Sequence, residues 1–285
     1  MKQQYPLPLE HLTWRTIKLT YQLTRAGRLP HFKSALWRGI LGHVLLEKSP
    51  LLYEQIFECK LPPDHPYSRR FQHAPSPYLV SIHDNEPRTV QSGEELIVYL
   101  TLIGKAIDHF SELIPLLQDM DRRAIGPDWI PLQMVDLSLL ETEEAQIWLP
   151  PKPPADLINL RFQSPLHVKG VDRNYLLLPL SLLIHRLAER MSLLAYFHCD
   201  APFVSDFSDL KEKAATARIL SKHVQWREWP RFSSRKYEKF QKGGLMGSIS
   251  YGEVHPHLLP LLRLGTHLHV GKGTAWGMGR MSLEE

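Results

Sequence analysis

Four prolines in nine residues, "WLPPKPPAD" from Trp148 to Asp156, break this chain near its middle. Proline has no amide hydrogen and fixes its own φ, so neither a helix nor a central strand runs through such a stretch. The segment reads as a linker between one unit at residues 1–147 and another at 156–285.

The same order of elements is legible on both sides. "TWRTIKLTYQLT" (Thr13 to Thr24) alternates and is rich in β-branched residues, which predicts a strand. Phe32 to Lys48 has helical period, with Leu36, Trp37, Ile40, Leu41, Val44 and Leu45 as its buried stripe. A proline-rich loop leads to a strand near Tyr78 to His83, then "EELIVYLTLIG" as a strand and "KAIDHFSELIPLLQDM" as a helix. Trp129 to Leu140 closes the half as a strand. In the second half "DLINLRFQSPLHV" predicts a strand and Tyr175 to Cys199 a long helix. Ile219 to Trp229 and "GGLMGSISY" follow as strands, "VHPHLLPLLRLG" as a helix, and a final strand after it. "LIPLL" lies thirteen residues before Gly126, and "LLPLL" thirteen before Gly271. Repeated order and repeated spacing together predict an α+β chain of two tandem ferredoxin-like (βαββαβ) domains.

With 43% hydrophobic residues the chain can bury one large core or two small ones. Two cysteines, Cys59 and Cys199, are too few for a disulfide framework or a four-cysteine zinc site and suit a reducing compartment. The start, "MKQQYPLPLE", carries no apolar run, and His185, Arg186, Glu189 and Arg190 interrupt the oiliest stretch. A soluble, cytoplasmic protein without a membrane partner is expected.

Charge is unevenly placed. Arg218 to Arg280 holds eleven Lys or Arg against three Glu, a local +8 in a chain whose net charge is +4. A basic block on a mildly acidic body suits a polyanion, most often nucleic acid, with a merely solvated surface as the bland alternative. The densest part, "RFSSRKYEKFQK", interleaves Arg231, Arg235, Lys236, Lys239 and Lys242 with Phe232, Tyr237 and Phe240. Basic groups hold phosphates, and aromatic rings stack on unpaired bases. The aromatic signature of RRM sheets is absent, so RNA contact would run through basic groups and backbone amides.

Near the end, "HVGKGTAWGMGR" (His269 to Arg280) holds four glycines in twelve residues. Trp276 stands where a dinucleotide fingerprint needs glycine, and Gly273 follows Lys272 where a Walker loop needs Ser or Thr. No nucleotide cofactor is therefore expected. Backbone without Cβ atoms can form an anion-binding nest, which makes Gly271, Lys272, Gly273, Gly277, Gly279 and Arg280 candidate RNA contacts. The alternative is a structural turn packed on the other domain.

Three stretches carry a family resemblance: "LPHFKSALWRGILGHVL" (Leu29 to Leu45), "WREWPRFSSRKYEKFQKGGLMGSISYG" (Trp226 to Gly252) and "LRLGTHLHVGKGTAWGMGRMSLE" (Leu262 to Glu284). They resemble the CRISPR repeat-RNA-processing endoribonucleases of the RAMP superfamily. Around "IFE" (Ile56 to Glu58) the chain departs from the pattern of many bacterial members, keeping only Cys59 of several cysteines.

The resemblance implies an endoribonuclease that cuts repeat-containing precursor RNA once per repeat, without metal or other cofactor. In such enzymes the ribose 2′-hydroxyl attacks the adjacent phosphorus and leaves a 2′,3′-cyclic phosphate. That chemistry needs a base, an acid and positive charge on the phosphorane. Histidine titrates near neutrality and suits the first two roles. The family places such groups around the first helix, so His43 is the first candidate. His31 is the reserve, with Lys33 and Arg38 as sources of charge. Repeat RNA is the expected partner, and an interference complex a further one. A non-cleaving RAMP-fold subunit that holds guide RNA is the alternative. The pairs His255/His257 and His267/His269 raise a zinc reading, but Pro256 disturbs the first and no acidic residue joins either. No metal site is expected.

Overall fold

A computed structural model describes residues 7–83, 86–144, 157–171, 174–233 and 238–284; the Trp148–Asp156 linker lies outside them. The first half forms β1 (Thr13–Leu23), α1 (Lys33–Lys48), β2 (Tyr78–Ser81), β3 (Glu95–Ile103), α2 (Phe110–Gln118) and β4 (Ile130–Glu144). Its sheet runs β2-β3-β1-β4, every neighbour antiparallel, and Ala124–Ile125 adds a short edge beyond β4. The second half forms β5 (Leu157–Leu166), α3 (Leu180–His198), β6 (Arg218–Ser233), β7 (Glu238–Gly252), α4 (Leu259–Leu268) and β8 (Met281–Glu284). Its sheet runs β8-β5-β7-β6, again antiparallel throughout. Numbered within each half, both orders are fourth-first-third-second, the ferredoxin-like arrangement.

The halves repeat in detail. Gly126 follows α2 at φ +80° and Gly271 follows α4 at φ +87°, both left-handed. A Cβ on Gly126 would stand 3.0 Å from the Arg28 carbonyl oxygen, and one on Gly271 2.7 Å from that of His167. Each glycine thus lets its post-helix turn close on the chain just past its half's first strand.

Three helix bounds differ from expectation. The second-half helix begins at Leu180 rather than Tyr175, because Pro179 is its extended cap and the residue before a proline avoids helical ψ. The segment after β3 opens as a 3-10 turn (Gly104–His109), and α2 proper starts at Phe110. Proline at 256 likewise gives a 3-10 turn, after which α4 runs on to Leu268.

Two large apolar cores form among the described residues, and each borrows from the other half. Leu7, Leu9, Leu12 and Trp14, from the chain's beginning, join the core under β5, β7 and β8. Ala275 and Trp276, from the glycine loop, join the core under β1 to β4. Fully burying an aliphatic side chain is worth about 1.5–3 kcal/mol, so the exchange ties the halves at two places.

Candidate functional site

The glycine loop is a wedge between the halves. From Gly273 onward it makes a short 3-10 turn (Thr274–Trp276), with Gly273 and Gly277 both left-handed at its ends. Thr274, Ala275, Gly277, Met278 and Gly279 are buried. Met278 packs on Phe32, the residue just before α1. Most of the amides face inward. Lys272 N–H donates to His167 O (2.9 Å), Gly277 N–H to Thr274 O (2.8 Å) and Gly279 N–H to Pro165 O (3.1 Å). Arg280 N–H donates to Ser164 Oγ at 2.8 Å. An anion nest at Gly277 and Gly279 is therefore corrected: both are buried and their donors are taken up by protein. Lys272 is exposed and Gly271, Gly273 and Arg280 are partly exposed, so the loop's accessible part is its two ends.

Arg280 is half-buried, and burial pulls its pKa down. It lies near His83 and Tyr99, whose rings stack 4.7 Å apart between centroids. This pair, a flat aromatic surface beside a guanidinium, went unnoticed in the sequence because the two rings sit on different segments.

On and just before α1 the four candidate catalytic residues separate. Lys33 is fully buried and its Nζ donates to the Glu86 carbonyl oxygen, so its expected role as transition-state charge is corrected. Arg38 donates from Nε to Tyr78 Oη at 2.7 Å, and its guanidinium lies over Phe57 (4.8 Å) and Trp276 (5.7 Å). Its charge lies on aromatic faces, and through Trp276 it links the glycine loop to α1.

His31 is half-exposed, with Nδ1 3.8 Å from Glu86 Oε2. The other Glu86 oxygen accepts from Arg227 on β6, so this cluster bridges the halves. His43 stands exposed ten residues along α1 from Lys33, about 15 Å at 1.5 Å per residue. His31 and His43 are thus separate sites. One turn before His43, a Cβ at Gly39 would meet nothing within 4 Å. Residues four apart share a helix face, so the strip beside His43 is bare and open.

In the basic segment, Arg235 and Lys236 lie outside the described residues. Arg231, Lys239 and Lys242 lie on the backbone of the β6–β7 ladder, paired with Phe240, Phe232 and Trp229 respectively.

The histidine pairs separate likewise. His255 Nδ1 accepts from the His257 amide, while His267 ends α4 and packs on Trp14 at 5.4 Å. His269 lies past the helix at φ +59°, buried, its Nδ1 3.2 Å from Met278 O and its Nε2 3.4 Å from Ser81 Oγ. His267 lies in the last turn of α4 and His269 beyond it, so the two imidazoles do not converge from one strand face. Among the described residues no three His, Cys, Asp or Glu gather as a metal site. The Cys59 thiol is pushed up to about 12 by burial and donates to Ile56 O at 3.0 Å. No helix among the described residues is long and apolar enough to cross a membrane.

Two tandem ferredoxin-like sheets joined by a terminal glycine wedge define a RAMP-type architecture. Residues 160–281 match the family model for the CRISPR-associated endoribonuclease Cas6, and residues 12–155 match a model described as an AF_1859 N-terminal domain. The second half of the chain is thus similar to the Cas6 endoribonucleases of CRISPR RNA processing. Among solved structures, a Cas6 product complex is 17% identical with a TM-score of 0.57, covering 96% of this chain and 100% of that one. A Thermus thermophilus Cas6 is 14% identical with a TM-score of 0.58, covering 96% and 99%. A RAMP protein binding different RNA substrates is 14% identical with a TM-score of 0.53, covering 95% and 100%. At these identities the likeness is one of fold. No curated protein matches the chain.

Proposed function

We propose that the protein cuts CRISPR precursor RNA within its repeats, without metal, by attack of a ribose 2′-hydroxyl on the adjacent phosphorus. The bond from phosphorus to the 5′-oxygen breaks, leaving a 2′,3′-cyclic phosphate and a free 5′-hydroxyl. The halves at 1–147 and 156–285 act as the two walls of the RNA site. Repeat RNA is the partner, held by the β6–β7 basic ladder and the exposed ends of the glycine loop. A cytoplasmic setting and docking of the processed RNA into an interference complex belong to the same reading.

His43 is the proposed acid or base. The observation that carries it is the open strip at Gly39, where a ribose-phosphate backbone can approach the helix within reach of an exposed imidazole. General acid–base catalysis contributes about a hundredfold or more. His43→Ala should therefore slow single-turnover cleavage by about that factor with repeat-RNA affinity unchanged. His31 carries a second reading, favoured by its Glu86 partner and by Arg227 across the seam. Normal cutting by His43→Ala with slow cutting by His31→Ala would move the chemistry there. A wild-type protein that binds repeat RNA and never cuts it would make the chain a guide-RNA-holding subunit.

A further inference from the structure

The helix side of the glycine loop holds a cleft of about 270 Å³ that the α1 site does not use. Its walls are the start of the loop (Gly271, Lys272), the turn after β5 (His167 to Lys169), one face of α3 (Arg186, Glu189, Arg190) and Pro75 from the first half. Four cations, Lys169, Arg186, Arg190 and Lys272, face one carboxylate, Glu189. That carboxylate is already engaged, accepting from Arg186 Nη1 at 2.9 Å. Neither Lys169, Lys272 nor Arg190 has a carboxylate partner among the described residues.

Arg190 is the telling group. Its Nε donates to the carbonyl of Leu268, the last residue of α4, at 3.0 Å, which fixes the guanidinium at the cleft wall. Its Nη2 finds no acceptor among the described residues. Burial pulls its pKa down to about 10, still cationic at neutral pH. Four cations around one engaged carboxylate repel one another across the hollow, most strongly at the buried Arg190. An anion in the hollow offsets that repulsion, and guanidinium groups fit phosphate oxygens with paired donors.

The positions are also held in advance. Lys272 N–H donates to His167 O, and His167 Nδ1 lies 3.0 Å from Gly243 O on β7. The loop start, the β5 turn and the basic hairpin are thus braced together around the cleft.

We propose that this cleft is a phosphate-binding site formed by Lys169, Arg186, Arg190 and Lys272. The phosphate is either a backbone phosphate of the RNA, which rests on the function proposed above, or that of a free mononucleotide, which does not.

The test uses Lys169→Gln/Lys272→Gln, two exposed side chains, and Arg186→Gln as a second variant, all checked for a cooperative melt. Affinity for fluorescein-labelled repeat RNA is measured by anisotropy from low to high KCl, and melting temperature is measured with and without millimolar AMP or inorganic phosphate. Each phosphate released from single-stranded contact lowers the salt slope by about 0.7. A slope reduced by about 1 or more in the double variant, with weaker binding at low salt, supports the site with RNA as the source. An unchanged slope, with AMP or phosphate stabilising the wild type but neither variant, supports it with a free phosphate as the source. An unchanged slope and no phosphate-dependent stabilisation of the wild type overturn the proposal. If wild-type protein fails to bind repeat RNA at all, the function proposed above fails, and the AMP and phosphate melts alone decide the cleft.

Discussion

Gly277 lies so close to Val80 that a Cβ on the glycine would stand 2.5 Å from the Val80 carbonyl oxygen and 2.9 Å from Ser34 Oγ. One residue of the second half therefore touches both β2 and the first turn of α1. Ser34 Oγ in turn accepts from the Ile82 amide at 2.9 Å, so strand, helix and loop meet at a single point.

Gly277→Ala should break that meeting. The residue sits at φ +80°, and left-handed backbone costs an L-residue about 1–2 kcal/mol before the clash is counted. A loss of about 2 kcal/mol or more is expected, read as a lower melting temperature. Limited proteolysis should cut more readily near the glycine loop, while Lys272→Ala at the exposed end should leave the melt unchanged.

Acid should loosen the same seam. His269 is buried beneath the loop, and its pKa is pushed down to about 3, first by burial and then by Arg190 and Arg280. His198, on α3, is pushed down to about 4 by burial, against the bond from its Nε2 to Pro75 O. Both are neutral when folded and take a proton near pH 6.5 when unfolded. The unfolded state therefore binds more protons between those values, and stability falls as pH drops from about 6.5 towards 4. Thermal melts across that range should show the decline, and His269→Gln should flatten it.

The basic ladder gives a third expectation. Charge reversal at Arg231, Arg235 and Lys236 should weaken repeat-RNA binding and flatten its dependence on salt, since fewer counterions are released. Unchanged affinity and slope would leave the segment as a solvated surface.

How much of this was legible follows from what kind of signal each part leaves. Strands such as β1 and β5 alternate residue by residue, and the spacing of Gly126 and Gly271 from their helices marked the duplication. The fold was therefore readable. The stripe on α1 was read correctly for Trp37, Leu41, Val44 and Leu45, but Lys33 is buried with them. Its ammonium is accommodated by a carbonyl fifty-three residues away, a partner no local pattern reveals. The glycine loop was read as a phosphate cradle or a packed turn, and its partners Val80, Ser34 and Pro165 decide for packing at Gly277 and Gly279. The His83–Tyr99 stack and the cluster of Arg186 and Arg190 with Lys169 and Lys272 were not legible because each is assembled from segments far apart in the chain.

The central claim is tested most directly by single-turnover cleavage of cognate repeat RNA in EDTA, beside a substrate carrying 2′-deoxyribose just upstream of the scissile phosphate. The natural RNA should be cut once per repeat and end in a 2′,3′-cyclic phosphate, while the deoxy substrate should bind as tightly and stay whole. Cleavage of the deoxy substrate, or none of the natural RNA until a divalent metal is added, would contradict attack by the 2′-hydroxyl without metal.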